Sequence, residues 1–348
     1  MVRRILYALL ALGPMVVALD AWTEVSENTL FVLSALALIP LAWLIGEATE
    51  HAAHHTGPGI GGFLNATFGN APELIIALIA VNSGLTEVVR GSLTGSVIGN
   101  LLLVLGFSLL FGGNGRLDRE SSFISFALVG FAVVLFLIPS VPGWHGDPDR
   151  HSLAVVSVPV SIVLLLVYVG VTWYSLRRHS LMHVSDEAAV MSAWSLRRSL
   201  AVLAAATVVT GLVAETLVHT LQVFADEAGL TDFFVAAVIV AIVGNAAEHG
   251  GAVVVAYRGN IKLAAEIALA SSAQVAVFLI PAVALISWLI EPLALSFRVV
   301  EILAMAGSVI FAALLLYRGY STRWRGAVLI AAYCGVAYAF YAVGDRAA

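Results

Sequence analysis

The chain has 348 residues, of which 61% are hydrophobic and 11% are charged, and its formal net charge is -5 at pH 7. A soluble domain is about 45–50% apolar and about 25% charged, so this composition excludes an ordinary soluble globule, a disordered chain and a nucleic-acid-binding protein. The single cysteine, Cys334, excludes an internal disulfide and a multi-thiolate metal site, which leaves an integral membrane protein in contact with the lipid bilayer.

Apolar segments follow one another along the chain, each close to the ~20 residues that a helix needs to cross a bilayer. There are eleven, at 3–22, 28–46, 60–83, 92–112, 123–142, 152–176, 199–225, 232–257, 263–288, 294–317 and 326–343. The runs are continuous and about twice as long as the alternating strands of a membrane β-barrel. We therefore predict an all-α polytopic membrane protein with about 11 transmembrane helices.

The basic residues predict the orientation, because loops rich in lysine and arginine stay in the cytoplasm. With the N-terminus inside, 13 of the 17 lysines and arginines lie on the inner side. The outer side holds the other four: Arg90, Arg150, Arg298 and Arg346. We expect a cytoplasmic N-terminus and a C-terminus outside. The segment 1–22 has some features of a signal peptide, but a retained first helix is favoured.

A five-residue motif occurs twice, as GNAPE at 69–73 and as GNAAE at 244–248, with an offset of 175 residues. We call these the first and second signatures. They divide the chain into two five-helix units, 28–176 and 199–343, which are joined by a cytoplasmic linker at 177–198. Because five is odd, the second unit enters the membrane with opposite polarity. Inverted repeats of this kind are typical of secondary transporters, whose site lies at the midplane between the repeats.

Acidic residues inside a membrane are costly and are functional by default. Seven lie within or at the ends of the predicted spans, and almost no basic residue shares their depth: Glu47, Glu50, Glu73, Glu215, Glu248, Glu266 and Glu301. Carboxylates without basic partners can bind a hard cation or take up protons. Glu47 is expected to be solvated, whereas Glu266 and Glu301, which have no counterpart in the repeat, are expected to have local structural roles.

The two signatures predict one cation- and proton-binding site. Asn70 with Glu73, and Asn245 with Glu248, are three residues apart, so each pair shares a helix face. Calcium takes six to eight oxygen ligands, whereas zinc and copper favour imidazole or thiolate. We expect further support for the site from nearby small, polar and glycine residues: Ser96, Asn100, Ser271, Gln274, His249, Gly69 and Gly244.

These motifs resemble the signatures of the calcium(cation)/proton exchanger family, CAX. The similar stretches are 48–50, 61–77, 95–106, 244–249 and 271–274, in order and over nearly the whole chain. The resemblance implies an antiporter that exchanges cytoplasmic Ca²⁺, or another divalent cation, for H⁺ and needs no resident cofactor. It implies that Glu73 and Glu248 alternately hold the cation and protons, and that Glu50 and Glu215 line the access paths.

Two alternatives stay open at this point. A Na⁺-coupled calcium exchanger has the same inverted architecture, although its motifs tend toward hydroxyl residues and proline before the acid. A membrane di-iron hydroxylase would use histidine boxes, for which His51, His54 and His55 and the pair His179 and His183 are candidates. The enzyme hypothesis leaves the duplicated glutamate motif unexplained. A homo-oligomer is compatible with the sequence.

Overall fold

The computed structural model describes residues 2–180 and 194–344 and consists almost entirely of helices. Eight helices form the first half: α1 (Val2–Leu9), α2 (Leu12–Trp22), α3 (Glu27–Gly69), α4 (Ala71–Asn82), α5 (Thr86–Ile98), α6 (Leu105–Gly112), α7 (Arg119–Gly143) and α8 (His151–Ser180). A π-helical segment, Gly99–Val104, joins α5 to α6.

The second half has a matching series of helices. They are α9 (Leu196–Ala228), α10 (Asp232–Phe234), α11 (Ala241–Gly244), α12 (Ala246–Tyr257), α13 (Ile261–Gln274), α14 (Ile280–Ile286), α15 (Val299–Leu316) and α16 (Arg323–Val343). The π-helical segments Val235–Val240 and Val275–Leu279 join α10 to α11 and α13 to α14. Two short antiparallel strands, β1 (Gly115–Arg116) and β2 (Tyr320–Ser321), connect the two halves.

Nine helices in the described part of the chain are long and apolar enough to cross a bilayer, or ten if the bent pair Asp232–Gly244 and Glu248–Tyr257 is one span. This agrees with the predicted all-α membrane fold. The predicted span 60–83 is not one helix, because Asn70 divides it between the 43-residue α3 and the 12-residue α4. The count of eleven spans and the inverted orientation of the repeats stay predictions.

The predicted offset recurs in the local structure. Both ends of α12 follow the corresponding ends of α4 by 175 residues, and α13 begins 175 residues after α5. A π-helical segment follows directly after α5 and after α13. The elements that follow the two signatures therefore come in the same order.

The helices that precede the two signatures, α3 and α9, form the most extensive helix pair of the molecule. The N-terminal α2 packs against both of them. At Gly13 a Cβ would lie 2.9 Å from Val209 Cγ1 and 3.4 Å from Leu41 Cδ1, so the small residue allows the close contact. Thr216 Oγ1 also donates a hydrogen bond to Asp20 Oδ2 at 2.8 Å. The first helix is thereby attached to this pair.

Glycines on α5 bring its backbone close to α10 and to the π-helical segment Val235–Val240, which precede the second signature. A Cβ at Gly95 would lie 2.0 Å from the carbonyl oxygen of Ala237, and a Cβ at Gly91 would lie 3.0 Å from that of Phe233. Side chains at these positions would force the two helices apart. This contact sets the distance between α5 and the second signature.

The predicted span 294–317 becomes helical only at Val299. The residues before it are irregular and buried, and side-chain hydroxyls satisfy their backbone groups. Leu295 N donates to Ser157 Oγ at 2.9 Å, and Phe297 N donates to Ser140 Oγ at 3.0 Å. Because these bonds satisfy the backbone without helical hydrogen bonds, the residues before Val299 need not be helical. The predicted helix start at residue 294 is therefore wrong.

A buried charge network lies in the first turns of α5 and α15. Arg90 is only 1% exposed, and its guanidinium donates to both carboxylate oxygens of Asp149, at 2.6 and 3.2 Å, and to Glu87 at 2.7 Å. The predicted span 92–112 leaves Arg90 outside the membrane helix. The helix begins at Thr86, six residues earlier, and carries this arginine into the protein.

Arg298 extends the network into the second half of the chain. Its Nε lies 3.4 Å from Glu301 Oε2 and 3.8 Å from Glu87 Oε2, and its guanidinium lies 3.7 Å from the centroid of the Phe233 ring. Glu301 also accepts a hydrogen bond from Thr94 Oγ1 at 3.3 Å. The expectation that the intramembrane acids lack basic partners is therefore wrong for Glu301, because Arg298, three residues earlier at the N-cap of α15, pairs with it.

We expect Arg90→Met to lower the free energy of unfolding by about 1.5–3 kcal/mol, because it removes the charged hydrogen bonds of a buried guanidinium to the partly exposed Glu87 and Asp149. Arg258→Met is the matched control, since Arg258 is exposed and surface substitutions usually change stability by about 0.5 kcal/mol or less. Denaturant unfolding in detergent micelles, followed by helical circular dichroism, measures both. Equal unfolding midpoints for the two variants would contradict a stabilising role of the network.

Candidate cation-binding site

The two signatures break their helices at an asparagine. Asn70 (φ -100°, ψ 18°) ends α3 and precedes α4, and Asn245 (φ -88°, ψ 3°) ends α11 and precedes α12. Both asparagines are 1% exposed. The Asn245 side chain donates to the carbonyl of Ala241 at 2.9 Å. A side-chain amide that competes for backbone partners in this way favours a helix end.

Each signature glutamate lies against the glycine of the other signature. A Cβ at Gly244 would lie 3.3 Å from Glu73 Cγ, and a Cβ at Gly69 would lie 3.7 Å from Glu248 Oε1. The two glycines therefore give each carboxyl room to approach the opposite helix break. The fold brings the two acids to one place although 175 residues separate them.

Amide and hydroxyl side chains connect Glu248 to α5 and its π-helical continuation. Ser271 Oγ donates a short hydrogen bond to Glu248 Oε2. Asn100 Nδ2 donates to Ser271 Oγ at 3.0 Å and to Asn245 Oδ1 at 3.3 Å. Asn245 Nδ2 in turn donates to Ser96 Oγ at 2.8 Å. Five of the predicted site residues thus form one continuous network.

Glu73 has different surroundings. It is 7% exposed, and its Oε2 is buried without a hydrogen-bond partner among the described residues. The buried Oδ1 of Asn100 likewise has no partner there. A small cavity reaches Glu73 and is lined by Glu73, Ile76, Ser92, Leu93, Ser96, Val240 and Ala241. Two buried acceptor oxygens are therefore available to a cation or to a proton.

Gln274 joins the first signature to α13. Asn70 Nδ2 donates to Gln274 Oε1 at 3.5 Å, a long hydrogen bond, so this contact is weaker than those around Asn245. By the 175-residue offset, Gln274 corresponds to Gly99 and Asn100 corresponds to Val275. The two halves of the site are thus built from different amides, and the repetition is not exact at this level.

The site consists of oxygen donors. In the described part of the chain neither signature glutamate forms an ion pair with a basic side chain. Carboxylate and amide oxygens are the ligands that calcium takes in proteins. Within the same residues no group of three or more histidine, cysteine, aspartate and glutamate side chains could hold a metal ion. Only two of the candidate ligands here are carboxylates, so the amides and hydroxyls matter to the coordination.

Three predicted residues lie outside this network. Glu50 on α3 and Glu215 on α9 have exposed side chains, as residues along an access path would. His249 follows Glu248 directly, but its Nε2 is buried without a hydrogen-bond partner among the residues that the structure describes. Its supporting role at the site therefore stays a prediction.

The prediction that Glu47 is solvated is wrong. Its side chain is buried, and its Oε1 lies 4.0 Å from His51 Nε2. The predicted span ends at residue 46, but α3 continues to Gly69. Glu47 consequently lies inside a helix that packs against α9, whereas Glu50 is exposed.

Glu266 has the expected local structural role, because it forms an ion pair with Lys262 on the same helix. The Nζ of Lys262 lies 3.9 Å from Glu266 Oε1 and 2.9 Å from Asp118 Oδ2. Asp118 caps the start of α7, where its carboxylate accepts from the backbone N–H groups of Glu120 and Ser121. The hydrogen bond from Lys262 and those from the backbone lower the pKa of the Asp118 carboxyl. This polar group joins α13 to the start of α7.

One polar residue that lines the cavity is not predicted from the sequence. Ser92 lines the cavity beside Glu73, four residues before Ser96 on the same helix. Spacing of four places the two hydroxyls on one helix face, so the sequence contained a signal for it. Arg90 and Gly91, directly before Ser92, are typical of a polar loop. The predicted span therefore begins at Ser92, and this residue is not among the predicted site residues.

The histidine box does not form a metal centre in the described residues. His51 stacks on Trp194, and His55 Nε2 hydrogen-bonds to the Trp194 carbonyl at 2.7 Å. His183, part of the second candidate pair, lies outside the described residues. No observation therefore supports the di-iron hydroxylase hypothesis.

Comparison with known proteins gives a consistent result. A family model described as Sodium/calcium exchanger protein matches residues 28–177 and 198–342. The Ca(2+)/H(+) antiporter ChaA of Bacillus subtilis is 36% identical, over 97% of this chain and 99% of that protein. The Ca(2+)/H(+) antiporter of Aphanothece halophytica is 34% identical, over 93% of this chain and 92% of that protein.

The fold is also similar to solved structures. Native YfkE aligns with a TM-score of 0.83 at 34% identity, over 97% of this chain and 99% of that one. A structure of the sodium-calcium exchanger NCX_Mj aligns with a TM-score of 0.58 at 18% identity, over 90% of this chain and 98% of that one. The second likeness concerns the fold alone.

We expect Gly244→Ala to weaken Ca²⁺ binding about tenfold, since overpacking of this size costs about 1–3 kcal/mol and 1.4 kcal/mol is tenfold in affinity. The new methyl group would press on Glu73 Cγ at 3.3 Å. Gly250→Ala on the following helix, α12, is the matched control, because a Cβ there meets nothing within 4 Å. Calorimetric titration of the purified protein with Ca²⁺ measures both, and equal affinities would contradict the contact.

Proposed function

The chain belongs to the sodium/calcium exchanger protein family, and from this membership we propose that it is a secondary active antiporter that exchanges cytoplasmic Ca²⁺ for H⁺. The relatives named as Ca(2+)/H(+) antiporters at 34–36% identity over more than nine-tenths of the chain support this assignment. The observation that carries it is the pair of signature glutamates, which lie at one site without a basic partner among the residues that the structure describes.

The proposed chemistry follows from the cost of burying charge. Two carboxylates in apolar surroundings need compensating positive charge. One divalent cation or two protons neutralise Glu73 and Glu248 equally, so the two substrates compete for the same oxygens. When Ca²⁺ arrives the protons leave, and when protons arrive the Ca²⁺ is released. Competition for one site is what couples the two ions.

Access to the site is proposed to alternate through movement of α3 and α9. These helices pack mainly against each other, and they carry the exposed acids Glu50 and Glu215. The contact of Gly91 and Gly95 with the second repeat and the Arg90 network bind the other helices together. We propose that the pair tilts or slides against this stationary part, so that one access path closes as the other opens.

The proposed orientation places the N-terminus in the cytoplasm and the C-terminus outside, with the two inverted units at 28–176 and 199–343. The asymmetry of the basic residues supports it. Proton flow into the cytoplasm then drives Ca²⁺ out. The cation range beyond Ca²⁺ is proposed to be limited to hard divalent ions, because the site offers only oxygen donors.

We expect sealed vesicles that contain the purified protein to take up Ca²⁺ when a pH gradient is imposed, because the two ions share the carboxylate pair. A fluorescent Ca²⁺ indicator measures the uptake, and empty vesicles give the background. A protonophore should abolish the uptake. Uptake that ignores the pH gradient and follows a Na⁺ gradient would overturn the proton-coupled assignment in favour of the Na⁺-coupled one.

We expect Glu73→Gln and Glu248→Gln each to reduce this exchange to the background, because an amide cannot release a proton or neutralise a cation. Glu291→Gln serves as the control and should retain most of the exchange, since its side chain is exposed and lies outside the helices that carry the site. Protein amount in the vesicle membrane is measured for every variant. Near-normal exchange by either signature variant would remove these glutamates from the proposed mechanism.

A further inference from the structure

Trp194 lies where the chain enters the first helix of the second unit. It directly precedes Ser195, whose side chain caps α9 by accepting from the backbone N–H of Arg198 at 3.4 Å. Its own side chain is half-buried. The position of the indole is therefore tied to the start of α9.

Two histidines of α3 hold this tryptophan against that helix, and an arginine of α9 lies over its ring. The His51 ring stacks on the indole, with ring centroids 4.7 Å apart and an angle of 27° between the planes. The guanidinium carbon of Arg198 lies 4.7 Å from the indole centroid. The backbone carbonyl of Trp194 accepts from His55 Nε2 at 2.7 Å. The histidine motif that the transport mechanism leaves unused thus has a defined partner.

The indole also packs on a small hydrophobic cluster, separate from the main core, that reaches the first signature. Its buried members are Ile45, Ala48, Ala71, Leu203 and Ala206, with Leu44, Phe68, Val202 and Trp194 packed against them. Ala71 follows Asn70 and begins α4, the helix of Glu73. A shift of Trp194 therefore changes the packing directly beside the helix break of the first signature.

Imidazole is the side chain suited to change its charge near neutral pH, and a proton gained by the His51 ring would act directly on the stack. A protonated ring donates from both nitrogens, but His51 Nδ1 is buried without a partner in the described part of the chain. It would also be a second cation against the indole and would be attracted to Glu47.

Other titratable and charged side chains surround this contact. Those near His51 on α3 and at the start of α9 are Glu47, Glu50, His54, His55, Arg197 and Arg198. The helices α4 and α12, which also pack against α3, carry Glu73, Glu248 and His249. Of these, Glu47 lies 4.0 Å from the His51 ring.

We propose that Trp194 is a positioning residue of the transport cycle, through which the protonation of His51 sets the packing of the first signature. The contact couples the start of α9 to α3 and to the helix break at Asn70. In the proposed orientation His51 lies on the side where each cycle releases protons, so the contact senses the product of the exchange. The role in the transport cycle rests on the proposed function, whereas the contact between His51 and Trp194 does not.

The contact itself is tested by fluorescence in a variant with Trp194 as its single tryptophan, made by replacing Trp22, Trp43, Trp144, Trp173, Trp288 and Trp324 with phenylalanine. Because contact with a protonated imidazole quenches indole emission, we expect the emission to fall in one step as the pH is lowered from about 8 to 5. His51→Gln should remove that step. His54→Gln, an exposed neighbour, should keep it.

The positioning role is tested by exchange rates at several pH values on the His51 side of the membrane. We expect His51→Gln and Trp194→Ala to lose the pH dependence that this side imposes on the maximal rate, with the Ca²⁺ concentration at half-maximal rate changed less than twofold. Trp194→Phe should retain the dependence, since a phenyl ring can still stack on His51.

Two results would overturn the proposal. One is a fluorescence step that persists in His51→Gln, which would mean that another group reports on pH. The other is an exchange profile of His51→Gln identical to that of the unchanged protein. If the unchanged protein shows no proton-coupled exchange, the proposed function fails, while the fluorescence titration still decides whether His51 titrates against Trp194.

Discussion

Each signature carboxyl packs against the glycine of the opposite signature, and the arrangement of the surrounding helices depends on this contact. Glu73 reaches Gly244, and Glu248 reaches Gly69, only because both helices break at an asparagine and both glycines lack a side chain. The close approach of α5 to the second signature, at Gly91 and Gly95, keeps Ser96 and Asn100 within reach of Asn245. Small residues thus determine how closely two halves of the chain can share one polar site.

The protein treats its buried charges in two different ways. Around Arg90 and Glu301 the charges have opposite partners and several hydrogen bonds, so that region is electrostatically satisfied without any ligand. Around Glu73 no basic partner compensates the carboxyl among the described residues, and one of its oxygens lacks a hydrogen bond. A complete network stabilises a fixed arrangement, whereas an incomplete one needs a mobile ion. The network of Arg90 and Glu301 thus holds helices together, whereas Glu73 belongs to the site that is proposed to exchange ions.

The long helices α3 and α9 make distinct contacts toward their two ends. At one end the N-terminal α2 is attached to them through Gly13 and the bond from Thr216 to Asp20. Toward the other end Trp194 stacks on His51 and packs against the small hydrophobic cluster that includes Ala71. Because these contacts lie on one helix pair, a change at either end can reach the first signature through packed side chains and needs no separate moving element.

Much of the fold and the centre of the candidate site could be predicted from the sequence. Apolar runs of span length and a motif repeated after 175 residues are local or periodic features, so they identify Asn70, Glu73, Asn245 and Glu248 without coordinates. The sequence also predicts Ser96, Asn100 and Ser271 as neighbours, and these form the network around Glu248.

The tertiary structure alone decided how the charges pair and which of them are buried. Arg90 meets Asp149 across 59 residues of sequence, and Thr94 meets Glu301 across 207. No periodicity marks such partners, so the sequence placed Arg90 outside the helix and did not predict the bond from Thr94 to Glu301. The burial of Glu47 beside the exposed Glu50 depends on where α3 ends and on how it packs against α9. The physical reason is that hydropathy is a property of each segment, whereas pairing and burial are properties of the space between segments.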